Sequence, residues 1–112
     1  MTNIPNKSFI AVYITHPTES AAKKIVNFLL DKQVIACGNI FPIQSAYTWK
    51  NAIQEDKEWV SLVKTTKEAW PHLCEAVESV HPYEVPCITR FEVSANAAYA
   101  NWVKTSVKVP LA

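Results

Sequence analysis

SFIAVYIT, residues Ser8 to Thr15, is the stretch on which the fold turns. Its β-branched and aromatic residues predict a strand. Successive side chains on a strand point to opposite faces, so Phe9, Ala11 and Tyr13 share one face and Ile10, Val12 and Ile14 the other. Both faces are apolar. A strand with one solvated face alternates apolar with polar, so this strand must be covered on both sides.

Working outward, His16-Pro17-Thr18 ends the strand and Thr18 offers a cap to a helix. Ala22, Ile25, Val26 and Leu29 then recur at helical spacing, to about Asp31 or Lys32. A second strand is expected over Val34–Phe41, bent or bulged at Pro42, and resuming at Ser45–Trp49. Lys50-Asn51 reads as a two-residue turn, and Ile53–Thr65 as the returning strand of a long hairpin. Thr65-Thr66-Lys67-Glu68 has the form of a capping box, with a helix starting two or three residues before Pro71. Leu73, Ala76, Val77 and Val80 give that helix its apolar stripe. Tyr83–Val93 is expected as a fourth strand, and Asn96 opens a last helix carrying Tyr99, Trp102, Val103 and Ser106.

The order is β-α-β-β-α-β plus a C-terminal helix: an α+β fold of the ferredoxin-like type, in one domain over residues 1–112. Right-handed crossovers place both main helices on one sheet face. The other face should then be polar, yet the third strand also has apolar residues on both sides, Trp59 and Val63 against Val60 and Leu62. Soluble monomers rarely expose so large an apolar area. Either the last helix and the N-terminal arm suffice as cover, or copies of the same chain pack sheet to sheet; the second is the simpler expectation.

Composition narrows the function. Charged residues are 19% and the net charge is +1, without clustered Lys and Arg, which argues against a nucleic-acid surface. No apolar run approaches the roughly 20 residues of a membrane helix. The opening MTNIPNKSF lacks the order of a secretory signal, so a cytoplasmic protein is expected. Three scattered cysteines, Cys37, Cys74 and Cys87, make a poor disulfide framework. The single glycine, Gly38, removes the Gly-rich phosphate loops.

Three stretches together, ACGNIFPIQSAYTW, IQEDKEWVSLVKT and HPYEVPCI, resemble the CutA divalent-cation-tolerance family, over nearly the whole chain from Ile10 to Val107. The resemblance implies a ferredoxin-like fold assembled as a homotrimer. It implies a link to copper and other divalent metals, and no assigned enzymatic activity. A likeness to PII-type signalling trimers implies, alternatively, small-ligand binding at subunit clefts without a metal role. The family motif falls on His81, Pro82, Tyr83 and Glu84, and Trp49, Glu55, Asp56 and Lys64 would gather near it. Departures stand at Ile43 and Asn51, where glycine is usual, at Cys87, where Glu is common, and at Ile14, where some members carry Cys.

The chemistry divides accordingly. His81 and Cys87, with Glu84 as an oxygen donor, are the candidate metal ligands; imidazole and thiolate suit copper and zinc. The plainer reading of His81 is a helix C-terminal residue, and of Cys87 a small apolar strand residue. Trp49, Tyr83 and Lys64, with Glu55 from the resemblance, are the candidate cleft for a small anionic ligand. Glu55, Asp56, Lys57 and Glu58 read as a solvated edge stretch, and adjacent strand residues cannot form a facing acid–base pair. No catalytic set is expected. His16 reads as a polar loop residue and His72 as a solvated one.

Overall fold

The computed structural model describes residues 7–109. Its elements run β1 (Ser8–His16), α1 (Glu19–Asp31), β2 (Cys37–Trp49), β3 (Ala52–Thr65), α2 (Trp70–Val80), β4 (Ile88–Ser94) and α3 (Ala97–Ser106). The sheet order is β2-β3-β1-β4, with every neighbouring pair antiparallel. This is the order and connectivity expected of the ferredoxin-like arrangement.

The helix-covered face holds the core. Ile10, Val12 and Ile14 from β1 and Val63 from β3 pack with Ile25, Val26 and Leu29 of α1 and Leu73, Ala76 and Val77 of α2. Thr18 caps α1, its hydroxyl accepting from the Ala21 N–H at 3.0 Å. Gly38 lies where α1 crosses β2. A Cβ there would come 3.1 Å from methyls of Val26 and of Val63, so the missing side chain is what lets helix and sheet approach.

On the opposite face, α3 covers one end only: Phe9 packs with Ala100 and Val103, beside Val93 and Tyr99. Beyond α3 that face is only partly closed among the described residues, with Val60 and Glu58 buried there. Phe41, Tyr47, Trp49 and Phe91 are all exposed there, between 37% and 50%. The N-terminal arm weighed as a cover falls largely in residues 1–6, outside the described residues.

Several local expectations change. β2 starts at Cys37, because Val34 and Ile35 are buried in the connection instead, and Ala36 N–H donates to the Lys64 carbonyl. Pro42 neither interrupts nor bulges β2: the register with β3 runs one-to-one from Cys37↔Lys64 to Trp49↔Ala52. β2 is an edge strand, where a missing N–H need cost no ladder bond. The capping box does not form. Thr65 belongs to β3 and its hydroxyl donates to the Val34 carbonyl, while Thr66 caps a turn through the Ala69 N–H. α2 begins at Trp70, which puts Pro71 in the first turn where its lost donor is harmless. Val80 is exposed rather than part of the stripe. β4 starts at Ile88, so His81–Cys87 forms a connection and not a strand.

The Lys50-Asn51 turn stands as expected, both residues having positive φ, 51° and 65°. β1 pairs with β3 only as far as Trp59, so the rest of the hairpin projects as a two-stranded ribbon and the molecule reaches 57 Å in length.

Candidate functional site

The connection from α2 to β4 crosses the end of β1 and meets the base of the ribbon. His81 is the C-cap of α2 and its backbone N–H donates to the Val77 carbonyl. Its ring turns away from the helix. Nε2 lies 2.7 Å from the Thr15 carbonyl, which only accepts, so Nε2 carries the proton. Nδ1 then accepts the Tyr83 N–H at 3.1 Å. Both ring nitrogens are occupied within the chain. The ring stacks on His16 at 5.5 Å and meets Tyr83 at 4.8 Å.

His16 is the residue that sequence reasoning placed wrongly. It ends β1 on the helix face and is fully buried. Nε2 lies 2.7 Å from Ser61 Oγ, and Nδ1 has no partner among the described residues. Burial, and then the neighbouring His81, lower its pKa to about 4. The signal was present in the sequence: His16 continues the 10, 12, 14 alternation that forms the core.

Tyr83 reaches β3. Its hydroxyl donates to Glu58 at 2.5 Å, and Glu58 is only 8% exposed. Burial, followed by this carboxylate, raises the Tyr83 pKa far above the usual phenol range. Glu58 is therefore not one charge of a solvated edge, as the sequence suggests. It alternates in phase with Val60 and Leu62, and that phase marks it as the charge needing a partner. Further along the ribbon Tyr47 donates in the same way to Asp56, and that bond raises the Tyr47 pKa.

Tyr47, Trp49, Pro82, Tyr83, Glu84 and Val85 line a cavity of about 280 Å³ between the ribbon and the turn. Two of the cleft residues expected from the sequence, Trp49 and Tyr83, therefore come together, with the candidate ligand Glu84 beside them. Lys64 and Glu55 do not join them. Lys64 donates to the Asn39 side chain farther up the hairpin, and Glu55 lines a separate shallow groove with Gln44, Ser45 and Lys57. Cys87 Sγ is 3.5 Å from Thr89 Oγ1. Among the described residues no group of three or more His, Cys, Asp or Glu lies close enough to hold a metal ion. Cys37 meets the Tyr99 hydroxyl at 3.3 Å, and that bond raises Tyr99 to about 12. His72 is half-buried, lining a groove with Phe28 and Lys32.

Residues 10–106 match the model of the family described as the CutA1 divalent ion tolerance protein. The chain is 44% identical to the divalent-cation tolerance protein CutA of Thermotoga maritima, over 88% of this chain and 98% of that protein. It is 39% identical to human protein CutA, covering 87% of this chain and 55% of that longer one. The crystal structure of CutA1 from Pyrococcus horikoshii superposes with a TM-score of 0.85 at 38% identity, over 89% of this chain and 99% of that one. A protein described as the periplasmic divalent cation tolerance protein CutA from Archaeoglobus fulgidus gives 0.86 at 32% identity, over 88% and 98%. A family model matched across almost the whole chain, with the fold and the HPYE turn in place, carries one conclusion: this chain belongs to the CutA divalent-cation tolerance family.

Proposed function

We propose that the chain works as a homotrimer in the response to divalent cations, taking copper or a similar ion at the junctions between copies. The observation that carries this reading is the open sheet face. Phe41 and Phe91 are 37% and 50% exposed beside half-buried Tyr13 and Leu62, an apolar surface that further copies of the chain would close. Three is the number that the family resemblance implies. Because His81 spends both nitrogens within its own chain, the ion would rest on Glu84 and Cys87 with groups from a neighbour, or on His81 after it releases Thr15 or Tyr83. Thiolate favours Cu(I). The three free thiols suit a reducing compartment, which supports a cytoplasmic site of action. The fully enclosed Ser61–His16 pair, out of reach of any substrate, supports binding over catalysis.

Sedimentation equilibrium tests the assembly: a mass near three times the 12.6 kDa chain is expected, and a well-folded single chain at low concentration overturns it. Copper titration under reducing conditions tests the ion. Cys87→Ser and Glu84→Gln should each weaken binding, and unchanged binding by both removes them from the site. A second reading is favoured by the cavity at Tyr47, Trp49 and Tyr83: a ligand-binding trimer without a metal role. Its mark is a thermal shift by a small organic ligand in chelator-treated buffer, abolished by Trp49→Ala.

A further inference from the structure

We propose that the cavity between the ribbon and the HPYE turn takes an organic cation, an alkylated or quaternary ammonium group. The inference rests on the second reading above, that this cavity is a ligand site, and adds the chemical class. Three aromatic rings, Tyr47, Trp49 and Tyr83, with Pro82 and Val85, form its walls. Among the described residues of this chain, Glu84 is the only charged one in the lining, with no Lys, Arg or His. A cation over an aromatic face is attracted by the ring quadrupole, most strongly at Trp. An anion would find little there. The hydroxyls of Tyr47 and Tyr83 are both committed as donors, to Asp56 and Glu58, and the Tyr83 N–H is committed to His81. Those two carboxylates sit at the hydroxyl ends of two of the rings and add to the negative field of Glu84. The small anionic ligand expected from the sequence needed Lys64 in the cleft, and within one chain Lys64 lies outside this lining.

A bare divalent ion held by this chain's lining alone fits poorly as well. One carboxylate amid hydrocarbon walls cannot replace a hydration shell of about six oxygens, whereas an alkylammonium head gives up little water on entering. One basic group stands nearby: Lys50 Nζ, from the hairpin turn, is 5.9 Å from the centroid of the Trp49 ring. That distance is at the outer edge of a cation–π contact, and it shows the ring already facing a positive charge. A bound cation would feel Lys50 as repulsion, so removing that charge has opposite effects on cationic and anionic ligands.

The test uses the full chain in metal-free buffer, with choline as the probe and 3,3-dimethylbutan-1-ol as its uncharged isostere. Binding is followed at the Trp49 indole N–H resonance, assigned through Trp49→Phe. Choline should give a saturable shift, with the isostere about 5- to 30-fold weaker, the range that one or two kcal/mol of cation–π attraction provides. Lys50→Ala should tighten choline binding and Glu84→Gln should weaken it, both in proteins whose spectra otherwise match wild type. Equal affinity for choline and the isostere overturns the cationic assignment and leaves an apolar ligand site. Saturation by acetate or phosphate, lost in Lys50→Ala, overturns it in favour of an anion. If no probe moves the Trp49 resonance, the cavity is not a ligand site and the second reading fails with the proposal.

Discussion

The two faces of the sheet are built from similar amino acids and end in different states. On the helix face Ile10, Val12, Ile14 and Val63 are all fully buried, in one continuous cluster with α1 and α2. On the other, α3 closes off Phe9, while Tyr13 and Leu62 stay half-buried and Phe41 and Phe91 lie open. The contrast teaches that apolar alternation reports a need for cover without naming its source. The helix face is satisfied by the chain that made it. The other face is where a single chain runs out of material, and it adjoins the ribbon that carries the candidate cavity.

The sharpest way to probe that contrast is to shorten one side chain on each face. Leu73→Ala removes a fully buried residue from the closed cluster and should cost about 2–5 kcal/mol in urea unfolding, with the sedimenting mass unchanged. Phe91→Ala, at 50% exposure, leaves no cavity within its own chain. Its effect should fall on the concentration at which assemblies dissociate. A Leu73→Ala loss below about 1 kcal/mol would erase the distinction between the faces.

The same contrast explains what could be read from the sequence. The α1 stripe was legible, and Ala22, Ile25, Val26 and Leu29 are the buried residues of that helix. Helical spacing depends only on neighbours in the chain. The hairpin turn was legible for a like reason, since Asn51 tolerates positive φ. Pro42 was not, because its cost depends on whether β2 is an edge strand, and edge position is a property of the whole sheet. Val34 and Ile35 looked like strand because a short apolar run does not distinguish pairing from mere burial. At the site, Trp49 and Tyr83 were expected together and are. The Tyr83–Glu58 bond joins residues 25 apart, and the His16–Ser61 contact residues 45 apart. Local spacing carries no signal for either.

His16 supplies the next test. Its pKa is lowered to about 4 in the folded chain, against 6.5 for a solvated imidazole. The unfolded chain therefore takes up the proton first as pH falls. Stability should be full above pH 6.5, decline as pH drops toward 4 and level off below, by at most about 3 kcal/mol. Carboxylates titrate in the same range, so the quantity to follow is the difference between wild type and His16→Gln. Among the described residues, the ring meets His81 from the α2–β4 connection and Ser61 from β3, neither of which is an anion that would balance an added positive charge. A pH-independent difference would mean that the ring escapes to water when charged.

Removing the Tyr83 hydroxyl should matter somewhat less. Tyr83→Phe leaves Glu58, 8% exposed, without its donor, and a hydrogen bond to a charged group contributes about 1.5–3 kcal/mol. Adding Glu58→Gln should recover part of the loss, because the stranded group is then uncharged. The double substitution being worse than Tyr83→Phe alone would show that Glu58 has a second partner.

The smallest effect is expected from the same chemistry moved outward. Tyr47 donates to Asp56 as Tyr83 does to Glu58, but Tyr47 is 43% exposed and the pair stands in solvent on the ribbon. There water replaces the lost hydroxyl, so Tyr47→Phe should leave the urea midpoint within experimental error of wild type. Measured side by side, the two tyrosines report surroundings rather than bond type. If Tyr47→Phe proves as costly as Tyr83→Phe, the ribbon is enclosed by something that one chain does not supply. The loss should then shrink on dilution if the enclosure is another copy, and stay constant if it is not.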